Sequence, residues 1–183
     1  MGTNGSTMLA PLRQGLPPLD AAAVSTSASC ALPARFEAVR GARRFTSSTL
    51  DRWQLGDRFD DVSLVVSELV TNALRHAVPT DCAHELPHEP QVRLHLMRLA
   101  GRLVCAVRDP SPQGPACRTA DEDFSAESGR GLLLVESFSD GWGWHPLAGK
   151  LRGKVVWALF LLSEPLALPA APVPAPGAEP AVP

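Results

Sequence analysis

Between Val62 and Ala77 apolar residues fall at helical spacing. Val62, Val65, Val66, Leu69, Ala73 and Ala77 form one stripe, and the pattern predicts an amphipathic helix that starts near Asp60 or Asp61 and stops before Pro79. Acidic residues at its start suit the positive end of the helix dipole. A looser helical segment is expected from Pro33 to about Leu50. Leu32, Phe36, Val39, Thr46 and Leu50 share one side of it, and Arg43 interrupts that side. The period then changes. Val92, Leu94 and Leu96 alternate with Arg93 and His95, which is strand spacing; Ala100-Gly101 turns; Leu103, Cys105 and Val107 continue as the second arm of a hairpin. Leu132 to Phe138 reads as a short buried helix, Trp142 and Trp144 as a strand, Gly149 to Gly153 as a turn and Val155 to Leu161 as a last apolar strand. Helix, helix, strand, strand, helix, strand, strand is the expected order. Strands grouped in hairpins imply an α+β sandwich, its sheet mostly antiparallel and its helices on one face.

Composition sets the limits of this unit. Residues 1–30 are rich in Gly, Ser, Thr, Ala and Pro and are expected to be a disordered leader, while residues 163–183 are nearly all Ala, Pro, Val and Leu and are expected to be a flexible tail. Residues 31–162 remain for one folded domain, enough for a single core. The net charge of −2 across 183 residues, with Lys and Arg scattered, argues against a nucleic-acid surface. No apolar run approaches the roughly 20 residues that span a bilayer, and the N-terminus lacks the basic and apolar segments of a secretory signal. Cys30, Cys82, Cys105 and Cys117 show no CxxC pair, so reduced structural thiols in a cytoplasmic protein are expected.

Chemistry collects in four places. Glu68, Asn72 and His76 lie four apart along the edge of the helix stripe. A carboxylate there could polarise a hydroxyl and a carboxamide oxygen could ligate a hard cation, although a solvated helix edge accounts for them equally. Asp109 ends a strand and precedes Pro110. It is placed either to start a turn or to accept hydrogen bonds from the exocyclic amine of a base. Gly129-Arg130-Gly131 leads into a helix after a long loop from Pro110 to about Ser128, an arrangement that suits phosphate or a plain loop-to-helix turn. Lys150, Arg152 and Lys154 precede the last strand and read as a solvated turn, with a phosphate contact as the alternative.

The order ELVTNALRHA, VRDPSP, ESGRGLLLVESFSDGWGW, GKVVWALF resembles the GHKL (histidine-kinase-like) ATP-binding domain over about Leu32 to Leu161, and in particular the anti-sigma-factor serine kinases of bacteria. That resemblance implies a two-layer α/β sandwich with a mixed, mostly antiparallel sheet. It implies ATP and Mg²⁺ as ligands, with Asn72 on the metal, Glu68 as the catalytic carboxylate acting on an attacking hydroxyl, Asp109 on the adenine amine, and Gly129, Arg130 and Gly131 in a lid over the phosphates. It further implies a serine/threonine protein kinase whose partner is an anti-anti-sigma factor, a sigma factor or both, in a chain that could pair as a homodimer. The alternative is a non-catalytic ATP-binding module that sequesters a regulator. Pro110, Ser111 and Pro112 depart from the glycine-containing turn usual in the superfamily at that point, and the lid keeps only the GRG element.

Overall fold

The computed structural model describes residues 24–33, 35–76, 92–115, 130–147 and 152–162. Five strands and three α-helices follow in the order β1 (Val24–Leu32), α1 (Glu37–Arg52), α2 (Phe59–His76), β2 (Val92–Leu99), β3 (Arg102–Asp109), α3 (Arg130–Phe138), β4 (Gly141–Pro146) and β5 (Lys154–Leu161). A single 3-10 turn, Gly56–Arg58, joins α1 to α2. The sheet order is β1-β2-β3-β5-β4. All of its pairings are antiparallel, so the mixed sheet that the resemblance implied has no parallel pair among the described residues.

β1 corrects the expected leader. Residues 24–30 belong to a strand that pairs along β2, with Cys30 opposite Leu94 and Leu32 opposite Val92. Ala28, Cys30 and Leu32 alternate toward the helices, opposite Leu96, Leu94 and Val92 of β2, and the residues between them are the small Ser29 and Ala31. An edge strand needs one apolar side only, which is why so polar a segment still pairs. The remainder of the expected leader, the tail from residue 163, and Cys82 and Cys117 lie outside the described residues.

The helices and one sheet face enclose the main core. Val62, Val65, Val66, Leu69, Val70 and Ala73 of α2 are buried against Leu94, Leu96, Leu103, Cys105, Val107 and Phe160 of the sheet. α1 departs from expectation in its face. It buries Ala38, Ala42, Thr46, Thr49 and Leu50, whereas Phe36 precedes the helix and is 73% exposed. Small alanines let α1 lie close to its neighbours, and a stripe read only from large residues misses them. α3 also differs from the buried helix expected: only Gly131 and Val135 are buried, while Leu133 and Phe138 face out. Among the described residues no helix is long and apolar enough to cross a membrane.

The opposite sheet face carries a smaller cluster of Met97, Leu99, Val104, Ala106 and Val155. His95 is buried there, and burial together with the charges of Arg93 and Arg108 lowers its pKa from 6.5 to about 4. The folded protein therefore refuses a proton that the unfolded chain accepts below pH 6.5. Stability from this group is complete above 6.5 and drains away as pH falls toward 4, by at most about 3 kcal/mol. Urea unfolding measured at pH 7, 6 and 5 should show a steeper acid loss for the wild type than for His95→Gln. Parallel curves would rule His95 out as the cause.

Candidate functional site

Strand alternation fixes one end of the site. In β3 the residues Leu103, Cys105 and Val107 point into the main core, so Asp109 points the same way at the strand end. In β5 the same face carries Val156, Ala158 and Phe160, and Lys154 stands in phase with them. Asp109 and Lys154 are direct cross-strand partners. Their side chains meet: Lys154 Nζ donates to Asp109 Oδ1 at 2.9 Å, and the two side chains are 8% and 2% exposed. The Ser111 backbone N–H donates to the same Oδ1 at 2.9 Å, and Lys154 Nζ also reaches the Ser111 carbonyl at 3.4 Å. Burial pushes the Asp109 carboxyl above its ordinary range, and the Lys154 bond and charge, with the Ser111 N–H, pull it part of the way back. A pair this buried holds together through mutual attraction, since either ion alone would be left without water.

α2 builds the other end. Glu68, Asn72 and His76 project along one edge of the helix, just as their spacing requires. Asn72 and His76 line a cavity of about 310 Å³ together with Asp109, Ser111, Lys154 and Leu132 of α3. Glu68 sits one turn earlier, where α3 begins. A methyl group added to Gly131 would stand 2.8 Å from Glu68 Oε2 and 3.4 Å from Asn72 Oδ1. The missing side chain at Gly131 is what lets the first turn of α3 rest on those two oxygens. A helix start of this kind places the positive end of the helix dipole beside them. Arg130 opens the helix and is exposed; Gly129 lies outside the described residues.

The candidate residues that the structure describes thus fall at two ends of one region: Asn72 and Asp109 line the cavity, and Glu68 and Gly131 adjoin Asn72. The profile of the histidine kinase-like ATPase domain matches residues 32–158. The chain belongs to that family. Among solved structures, the RsbU and RsbW domains of Rv1364c from Mycobacterium tuberculosis share its fold with a TM-score of 0.53, at 18% identity. The alignment covers 77% of this chain and 34% of that one, so this chain spans about a third of the matched structure's length. No curated protein matches the sequence.

ATP is the ligand of a histidine kinase-like ATPase domain, and the residues present fit it. The cavity volume lies within the range of small-molecule sites, roughly 300 to 1,000 Å³. Its lining mixes apolar walls (Leu69, Ala73, Val156) with convergent polar groups. A hard oxygen donor, the Asn72 carboxamide, stands at Gly131 where α3 begins, and a donor of that kind suits magnesium beside phosphates.

Lys154 is the residue that sequence reading misplaced. It is not a solvated turn residue; it is buried against Asp109. The signal was its phase, two residues before Val156 and four before Ala158, on the core-facing side of an apolar strand. Lys150 lies outside the described residues. Cys30 and Cys105 are free thiols, and burial pushes Cys105 up to about 12, in keeping with structural roles.

Proposed function

We propose that this ATPase domain is a regulatory protein kinase, which binds Mg-ATP and transfers the γ-phosphoryl group to a serine or threonine hydroxyl of a protein partner. The observation that carries this reading is the placement of Asn72 and Asp109 on one cavity with Glu68 and the start of α3 beside Asn72. Phosphoryl transfer asks a protein mainly for positioning and charge stabilisation, so a small constellation suffices. Asn72 offers its carboxamide oxygen to magnesium, which neutralises phosphate charge when bound. Asp109 accepts from the adenine amine. The first turn of α3, with Gly129, Arg130 and Gly131, serves the phosphates. Glu68 accepts a hydrogen bond from the attacking hydroxyl and draws off its proton.

The partner class rests on the resemblance to anti-sigma-factor serine kinases: an anti-anti-sigma factor as the phosphorylated protein, a sigma factor as a captured one, in the cytoplasm. A homodimer fits the same reading. The non-catalytic alternative keeps the ATP site and dispenses with Glu68.

Purified wild-type protein should bind ATP in the presence of magnesium, measured by calorimetry, and Asn72→Ala should weaken that binding by about tenfold or more, since a charge-assisted contact is lost at the metal. Equal affinities would remove Asn72 from the site. Incubation with labelled ATP and candidate anti-anti-sigma partners then reads the transfer itself.

A further inference from the structure

Asp109 and Lys154 form an ion pair that is not fully spent. Both hydrogen bonds that Asp109 accepts among the described residues land on Oδ1, from Lys154 Nζ and from the Ser111 N–H. Oδ2 accepts none of them. Lys154 has three N–H donors. Two have acceptors, Asp109 Oδ1 at 2.9 Å and the Ser111 carbonyl at 3.4 Å, and the third has none among the described residues. Both residues line the cavity. A buried ammonium with an unused donor beside a carboxylate with an unused oxygen presents two complementary functions side by side. One accepts a hydrogen bond; the other donates one.

The 6-amino edge of adenine has the matching pattern, a donor on the exocyclic nitrogen next to an acceptor at N1. We infer that Lys154 is a base-specificity residue that donates a hydrogen bond to adenine N1 while Asp109 Oδ2 accepts from the 6-amino group. This inference rests on the adenine-binding reading of Asp109 and extends it to a second, cationic contact. Lys154 also fixes the carboxylate, because its bond to Oδ1 holds that oxygen and leaves Oδ2 without a donor among the described residues. A purine that lacks either function loses one contact and leaves a buried N–H donor or a buried carboxylate oxygen without a partner, which penalises it.

The test compares ATP with 1-deaza-ATP, in which N1 is replaced by C–H and the 6-amino group is kept. Binding to the full chain with magnesium is measured by calorimetry. Wild type should prefer ATP by about tenfold or more, the loss expected for a hydrogen bond to a charged group. Lys154→Met should bind both nucleotides with nearly equal affinity. Lys154→Gln, which keeps a shorter N–H donor and a neutral side chain, should show an intermediate preference; it takes the place of Lys154→Met if that variant does not fold. Binding of ATP by wild type without preference over 1-deaza-ATP overturns the inference and leaves the ATP site standing. The same follows if the preference survives undiminished in the Lys154 variants. Absence of ATP binding altogether removes both readings.

Discussion

Glu68→Gln is expected to leave ATP binding intact and to slow phosphoryl transfer to a protein hydroxyl by about 10²- to 10⁴-fold, the usual contribution of a positioned general base. The substitution keeps the size of the side chain and one oxygen, so Gly131 still meets a carboxamide where it met the carboxylate Oε2. The nucleotide contacts proposed for Asn72 and Asp109 are untouched. Glu68 is only half-buried and makes no ion pair among the described residues, so stability should change by no more than about 0.5 kcal/mol. What disappears is the charge that draws a proton from the hydroxyl. Single-turnover transfer from labelled ATP, with ATP affinity measured on the same preparation, separates the two effects. If wild type transfers and Glu68→Gln transfers as fast, Glu68 is not the base. If wild type binds ATP and partner but never transfers, the non-catalytic module is the correct reading.

How far the sequence carried depends on which residues announced themselves. The spacing of Glu68, Asn72 and His76 could be read directly, because a helix places every fourth residue on one edge and the apolar stripe beside it fixes which edge. Asp109 was equally readable as a polar residue in phase with Leu103, Cys105 and Val107. Lys154 obeyed the same rule on the neighbouring strand β5, yet three basic residues within five positions made a solvated turn the simpler account. Burial of a lysine is costly enough that only its cross-strand carboxylate makes it sensible, and that partner lies forty-five positions away. β1 escaped for a different reason. Its inward residues are Ala28, Cys30 and Leu32, whose combined hydrophobicity is too small to stand out from a Ser- and Thr-rich background; the strand exists because β2 offers it an edge. α1 shows the same blind spot, with Ala38 and Ala42 in the core and Phe36 outside it. Large apolar residues mark an element, whereas small ones mark where two elements come closest.

The close approach at Gly153 sets the second large effect. Gly153 has φ +109°, a conformation that side chains rarely adopt, and it directly precedes Lys154. A Cβ there would run into the Asp109 carbonyl oxygen and stand 3.0 Å from both the Asp109 carbonyl carbon and Pro110 Cα. These are backbone atoms of the strand end that carries the Asp109 carboxylate, so no side chain can swing aside. Gly153→Ala should therefore cost about 2–4 kcal/mol in urea unfolding, combining backbone strain with overpacking. Two other glycines calibrate the cause. Gly101 also has positive φ, at +65°, but nothing lies within 4 Å of its added methyl, so Gly101→Ala should cost only about 1 kcal/mol from conformation alone. Gly141 has no such φ and equally open space, and Gly141→Ala should fall within about 0.5 kcal/mol of wild type. The ranking Gly153, Gly101, Gly141 separates the clash from the strain. ATP affinity should fall in the Gly153 variant alone, because only there does relief of the contact part Asp109 from Lys154. A Gly153→Ala protein as stable as Gly101→Ala, with ATP affinity unchanged, would mean that the start of β5 yields without disturbing the ion pair.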